Sequence, residues 1–200
     1  MKPYDGFKAQ KNEGAFLDVP PAGLYTAVIK KARYVEADGE KWNRDRIELF
    51  VDIAEGDYKD RYMALFTDQK ERWGDDAKYK GLVTLVIPVN EDEPWKKKNF
   101  EHNVWAIEDS NSSFRFNWDK LPNVDDFNGK TVGLNIRQRL YTYKEKDRES
   151  TEIGRFESIQ DIKAGRCKVL KANDRREKKN EDSTDGSSFT DVSKSVDVPW

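Results

Sequence analysis

The stretch "TVGLNIRQRLYTY", residues 131–143, alternates apolar and polar side chains along most of its length. Every second residue of a β-strand lies on the same face of its sheet. Val132, Leu134, Ile136 and Leu140 therefore share one side, and Asn135, Arg137, Arg139, Tyr141 and Tyr143 share the other. The stretch predicts a strand with one buried face and one face of arginine and tyrosine side chains.

Similar alternation surrounds this stretch. "LYTAVIKKARYVEA" (24–37), "RDRIELFVDIAEG" (44–56), "YKDRYMALF" (58–66) and "EIGRFESIQDI" (152–162) are each expected to form a strand. In the second of these, Ile47, Leu49, Val51 and Ile53 share one face, and Arg44, Arg46, Glu48, Phe50 and Asp52 share the other. "GLVTLVIPV" (81–89) fits either a short strand or the buried start of a helix.

The middle of the chain changes period. Phe100, Val104 and Ile107 recur at helical spacing, which predicts a helix within residues 96–111. The resulting order of three strands, a helix and two strands is that of an OB-fold, although other small α+β folds share it. We therefore expect a mainly β fold, an OB-fold-like five-stranded barrel with a helical insert between strands 3 and 4.

The C-terminal part of the chain differs in composition from the rest. Residues 180–200 contain five acidic residues and one lysine, a net charge of −4, whereas residues 1–179 carry +2. A stretch so rich in Ser, Thr and Asp buries too little apolar surface to order itself. We expect an irregular N-terminal arm (1–19), a folded nucleic-acid-binding domain (20–172) and a flexible, disordered acidic tail (173–200).

Several classes of protein are disfavoured by the composition. No apolar run is long enough to span a membrane, and the N-terminus lacks the apolar region of a signal peptide, so a cytoplasmic protein without a membrane partner is expected. With one cysteine, Cys167, and one histidine, His102, neither a disulfide framework nor a zinc site is expected. Phosphate-loop and zinc-protease motifs are missing, so we expect no enzyme, no cofactor and no metal, although carboxylates alone do not exclude a two-metal nuclease.

The polar faces of three predicted strands carry cations and aromatic rings together. Single-stranded nucleic acid needs cations along its phosphates and flat rings on which unpaired bases stack. The candidate nucleic-acid-binding residues are Lys30, Lys31, Arg33, Tyr34, Arg44, Arg46, Phe50, Arg137, Arg139, Tyr141 and Tyr143. The alternative is that these strands use arginine and tyrosine only for β-propensity and cross-strand pairing.

Three segments resemble a family of phage-encoded proteins, many of which are regarded as single-stranded DNA-binding proteins. They are "PAGLYTAVIKKARYVEA" (21–37), "FNGKTVGLNIRQRLYTY" (127–143) and "IKAGRCKV" (162–169), and the similarity runs loosely over residues 19–170. The resemblance implies sequence-independent binding of single-stranded DNA in phage DNA replication, recombination or repair, in the cytoplasm of the host.

The last four residues, "DVPW", resemble the acidic tip of bacterial single-stranded DNA-binding proteins. Val198 stands where that tip usually has isoleucine, and Trp200 stands where it has phenylalanine. The resemblance implies that Asp197, Val198, Pro199 and Trp200 recruit replication or recombination proteins of phage or host. The Trp200 ring would fill a pocket, and its free carboxylate would meet a basic side chain. The other interpretation is that Trp200 packs on the folded domain.

A second class of function stays open at this point. The barrel face could instead contact protein or RNA, as a replisome adaptor or an RNA-binding OB-fold module. The oligomeric state is also open, and a homo-oligomer is among the arrangements compatible with the sequence.

Overall fold

The computed structural model describes residues 17–39 and 42–176 of the chain. In chain order its elements are β1 (Gly23–Val35), β2 (Arg46–Ile53), α1 (Arg61–Trp73), β3 (Leu82–Val86), α2 (Pro94–Ser110), β4 (Thr131–Tyr143), β5 (Lys146–Glu157), α3 (Ile159–Lys163) and β6 (Asn173–Arg175). Short 3-10 turns lie at Gly74–Asp76, Trp118–Lys120 and Asp125–Phe127.

The strands form one sheet in the order β3-β2-β1-β4-β5, with antiparallel neighbours. β6 pairs in parallel with residues 139–141 of β4. In the part of the chain that the structure describes, β3 and β5 lie at the two ends of this order and the sheet is open. The prediction of a mainly β chain is confirmed, but the predicted barrel is not closed.

Most of the core lies on one side of the sheet. The fully buried strand residues on that side are Ala27, Ile29, Ile47, Leu49, Val51, Ile53, Val132, Leu134, Ile136 and Phe156. A register shift between Ile29 and Lys31 marks a β-bulge at Lys30. An extra residue in a strand reverses the alternation that follows it. The bulge therefore leaves Lys30 exposed and places Ala32 opposite the core residue Leu49.

Residues 58–66 do not form the predicted strand, because α1 begins within them. The buried residues of α1 are Tyr62, Leu65 and Phe66, which are spaced as on one face of a helix. Asp52, near the end of β2, fixes the start of the helix. Its carboxylate accepts the backbone N–H groups of Tyr62 and Met63, both at 2.9 Å. The prediction was wrong because the apolar residues of this stretch fit both the two-residue period of a strand and the 3.6-residue period of a helix.

The outward face of β2 is buried as well as its core face. Phe50 has no exposed surface, and its ring lies 5.9 Å from that of Tyr79, which also packs on Tyr62 and Phe66 of α1. The predicted exposure of Phe50 and Arg46 is therefore wrong. Alternation showed which side chains share a face, but not that further elements cover that face.

The remaining predictions differ from the structure mainly at their boundaries. Residues 81–89 contain a short strand, β3, and α2 lies where the helix was expected. β5 begins at Lys146, earlier than the predicted residue 152, and the chain turns into α3 at Ile159. In residues 17–39 and 42–176, no helix combines the length and the apolar character needed to cross a bilayer.

The predicted terminal segments lie largely outside the described residues, which exclude 1–16 and 177–200. At the C-terminal side, the predicted tail was expected to begin at residue 173. The structure instead places Asn173–Arg175 in β6, beside β4. The C-terminal segment is therefore attached to the sheet at least as far as Arg175.

Candidate nucleic-acid interface

A cavity of about 500 Å³ lies at one end of β3, between the loop after β1 and the start of α2. Six of its lining residues are Trp42 and Arg44 from the loop, Thr84 and Val86 from β3, and Trp95 and Phe100 from α2. We call this cavity the aromatic groove. It is lined by three different elements, so its shape depends on the fold as a whole.

The groove combines one exposed and one half-buried indole ring with cations. Trp95 is 62% exposed, and the ammonium of Lys96 lies 5.5 Å from its ring centre. The guanidinium carbon of Arg46 lies 4.5 Å from the ring centre of Trp42. Flat rings with adjacent positive charge can stack with bases and attract phosphates at the same place.

Arg44 holds the loop after β1 against the segment that precedes α2. Its Nη1 donates to Asp92, and the same carboxylate oxygen of Asp92 accepts the N–H of Val89 at 2.9 Å. These hydrogen bonds, with that of Arg44 first, hold the pKa of Asp92 below its usual value. The contact positions the Arg44 guanidinium at the groove, paired with the Asp92 carboxylate that also lines it.

Arg46 lies beneath Trp42 and is nearly buried, with 9% of its side chain exposed. Its Nε donates to Glu48 at 3.0 Å, and Arg33 donates to the other oxygen of Glu48 at 2.6 Å. Nη1 of Arg46 is buried without an acceptor among the described residues. Two guanidinium groups therefore share one carboxylate, and the Arg46 guanidinium also lies against the Trp42 ring.

β3 contributes backbone groups as well as side chains. Val51 N–H donates to Gly81 and Ile87 N–H donates to Asp45, so the hydrogen-bonded pairs with β2 involve the odd-numbered residues of β3. The even-numbered residues, Leu82, Thr84 and Val86, direct their N–H and C=O groups away from β2. Thr84 and Val86 also line the groove.

The predicted face of β4 has two parts. β1 pairs with β4 only as far as Ile136, and beyond it β4 and β5 continue as a hairpin, which we call the β4–β5 extension. Arg137 donates to Glu152 at 2.9 Å, and the guanidinium of Arg139 lies 5.2 Å from the ring centre of Tyr141. Tyr143, near the tip, is 57% exposed.

The segment after α3 crosses the arginine part of this face. Asn135 holds it, accepting the N–H of Leu170 at 3.0 Å and donating to the carbonyl of Lys168 at 2.9 Å. Leu170 passes so close to Gly154 that a Cβ there would lie 2.6 Å from its side chain. Arg137 and Arg139 are therefore half-buried, and the tip is the accessible part of the predicted stripe.

The predicted residues of β1 are used mainly within the fold. Lys30 pairs with Asp60 at 3.1 Å, and Lys31 lies opposite Phe50 in the sheet. The hydroxyl of Tyr34 donates to Asp45, and this hydrogen bond raises the pKa of Tyr34 to about 12. Arg33, Arg46 and Phe50 do meet on one face, as predicted, with the Arg33 guanidinium 5.4 Å from the Phe50 ring centre.

Lys80 lies just before β3 in the chain. Burial lowers the pKa of Lys80, and the charges of Lys78 and Arg139 lower it further.

Sequence reasoning missed Trp42 and Trp95. Each stands beside cations in the sequence, in "KWNRDR" (41–46) and "PWKKK" (94–98), and this proximity was the available signal. The predicted tip residues Asp197, Val198, Pro199 and Trp200 lie outside the described residues.

Within residues 17–39 and 42–176, no group of three histidine, cysteine, aspartate or glutamate side chains is placed to hold a metal ion. No protein-family model matches this chain, and no curated protein matches it. The functional proposal therefore rests on the groove, the β4–β5 extension and the sequence itself.

Proposed function

We propose that this protein binds single-stranded DNA without sequence preference, in phage DNA replication or recombination. The observation that carries the proposal is the aromatic groove, where Trp42 and Trp95 lie beside Arg44, Arg46 and Lys96. This combination suits stacking of unpaired bases with neutralisation of phosphates. The exposed tip at Tyr143 would supply a second contact for the same strand.

The sheet order supports an OB-fold that is open between its third and fifth strands. In an OB-fold barrel the first strand lies between the second and the fourth, and a helix commonly joins the third to the fourth. β1 pairs with β2 and β4, and α2 joins β3 to β4. The loop after the first strand and the loop between the fourth and fifth are binding elements of this fold. Here the loop after β1 carries Trp42, and the turn between β4 and β5 directly follows Tyr143.

The decisive experiment is a titration of labelled oligo-dT, oligo-rU and duplex DNA, followed by fluorescence anisotropy. We expect oligo-dT to bind most tightly, with log affinity falling against log salt by about 0.7 per neutralised phosphate. Trp95→Ala should weaken oligo-dT binding about 5- to 150-fold, the loss of one base stack. Trp73→Ala is the matched control, since Trp73 is 59% exposed at the end of α1 and does not line the groove.

Equal affinity for duplex, or equal losses in the two variants, would refute the proposal. Tighter binding of oligo-rU would favour the RNA-binding module instead. A replisome adaptor is favoured by one observation, the edge strand β3. It contains no charged residue in Leu82–Val86 and could accept a strand from a protein partner. If the protein binds no nucleic acid, the β3 edge becomes the candidate binding site, and its partner a protein.

The proposal extends to the C-terminal tip, where Asp197, Val198, Pro199 and Trp200 would recruit replication or recombination proteins. Its support is the resemblance of "DVPW" to known recruiting tips, and the acidic charge that precedes it. Pull-down from host extract with the intact chain and with a chain that ends at residue 190 tests this part. Identical partner lists would refute it.

A further inference from the structure

The connection between α2 and β4, residues 111–130, is unusually long for a compact domain. Phe114, Val124 and Phe127 bury their side chains in the core and hold the connection in place. Trp118 does not, since 51% of it is exposed. A large ring left exposed on a well-anchored loop is a feature that packing alone does not require.

Trp118 continues the wall of the aromatic groove. Phe100 lines the groove and also stacks on Trp118, with ring centres 5.4 Å apart and planes inclined by 26°. Phe116 supports Trp118 from the side, with ring centres 4.9 Å apart and planes at 77°. The indole ring is therefore fixed by two neighbours while half of its surface stays open.

Cations flank Trp118 in the chain, with Arg115 before it and Lys120 after it. A second cavity, of about 490 Å³, is lined by Arg115, Lys120 and Lys130 together with Asp125 and Asp126. Lys120 belongs to the same 3-10 turn as Trp118 and pairs with Asp126. Three cations against two carboxylates leave the lining of this second cavity with a net positive charge.

We propose that a single strand leaving the aromatic groove continues over Trp118 into the cavity of Arg115, Lys120 and Lys130. One base stacks on the indole of Trp118, and the next phosphates meet the cations. This inference rests on the proposed binding of single-stranded DNA in the groove. It assigns a second stacking site, which only oligonucleotides longer than the groove can reach.

A length series of oligo-dT, from about 4 to about 16 nucleotides, tests the path. We expect Trp118→Leu to bind the shortest oligonucleotides like the wild type and to lose about 5- to 150-fold on the longest. Trp118→Phe, which keeps a ring, should retain most of this affinity. Trp105→Leu is the matched control, since Trp105 is 42% exposed on α2 beside His102 and lines neither cavity. Thermal melts of every variant establish that it is folded.

The outcomes separate this inference from the proposed function. Loss on Trp95→Ala at all lengths, with wild-type binding by Trp118→Leu at all lengths, overturns the path and keeps the groove. An equal loss at every length on Trp118→Leu also overturns the path, because Trp118 would then act through Phe100 on the groove itself. No loss on Trp95→Ala refutes the groove, and with it the path.

Discussion

The outward faces of β2 and β4 carry the same sequence pattern but have different surroundings. On β2 the alternating residues are Arg46, Glu48, Phe50 and Asp52, and all of them are buried. On β4 they are Arg137, Arg139, Tyr141 and Tyr143, and exposure increases towards the tip. Alternation therefore shows which residues share a face, whereas other parts of the chain decide whether that face is exposed to solvent.

The covering elements explain the difference. β2 lies inside the sheet, and Tyr79 closes its outward face over Phe50. β4 extends beyond the end of β1, so its last residues have β5 on one side and only the short β6 on the other. Substitutions on the buried face of β2 should therefore lower the stability of the fold. Substitutions at the exposed end of β4 should instead weaken binding.

The largest effect is expected for Phe50→Ala. Removing a fully buried phenylalanine leaves a cavity and should lower the free energy of unfolding by about 3–5 kcal/mol. Tyr143→Ala, at the exposed tip, should change it by less than about 0.5 kcal/mol. Urea unfolding of both variants measures the difference. Similar losses would show that the two faces are equally covered.

An intermediate effect is expected for Asp52→Asn, which places an amide NH₂ against backbone donors. One N–H then lacks its acceptor, at a cost of about 1–3 kcal/mol. Burial raises the pKa of Asp52 above its unfolded value, so its titration contributes stability that is full below that value and is lost as pH rises through the folded pKa.

The advantage of the wild type over Asp52→Asn should therefore shrink as pH rises from about 3 to 7, measured by urea unfolding at each pH. Asp92→Asn is the control of opposite sign. The pKa of Asp92 is lowered, so its contribution is present above the unfolded value and is lost as pH falls. If the stability difference from the wild type changes with pH in the same direction for both variants, the environments assigned to Asp52 and Asp92 are wrong.

The smallest effect is expected for Tyr143→Leu or Tyr141→Leu on the β4–β5 extension. Leucine keeps apolar bulk but removes the π-face, so oligo-dT binding should weaken about 5-fold while the melting temperature barely changes. Anisotropy titrations and thermal melts of each variant provide the check. A melting temperature lower by many degrees, with unaltered affinity, would identify these rings as packing residues.

Sequence pattern predicted the strands well where one face is buried and the other polar. β1, β2 and β4 follow this rule, and α2 follows its helical counterpart. The strand predicted for residues 58–66 was wrong because Asp52, which lies outside that stretch, accepts hydrogen bonds from the first turn of α1 and so favours the helix. Such tertiary hydrogen bonds leave no periodic signal. The same holds for Tyr79, whose position over Phe50 depends on the chain between α1 and β3.

The candidate site was predicted in part. Arg44 and Arg46 were named from the sequence: Arg44 lines the groove, and Arg46 lies against the ring of Trp42. Tyr141 and Tyr143 share a face as predicted. Trp42 and Trp95 were missed because they belong to a loop and to a helix start, where strand alternation carries no information. Only the folded chain brings these two rings to one cavity.

β6 decides how a pull on the C-terminal end reaches the sheet. Tension applied beyond Arg176 first loads the three residue pairs between β6 and β4. Behind them, Asn135 donates to the Lys168 carbonyl and accepts the Leu170 N–H, and these two hydrogen bonds are loaded second. Releasing β6 lengthens the tether by roughly 3.4 Å per freed residue before the load reaches Asn135. A force on this end therefore reaches the sheet in two steps, first through β6 and then through Asn135.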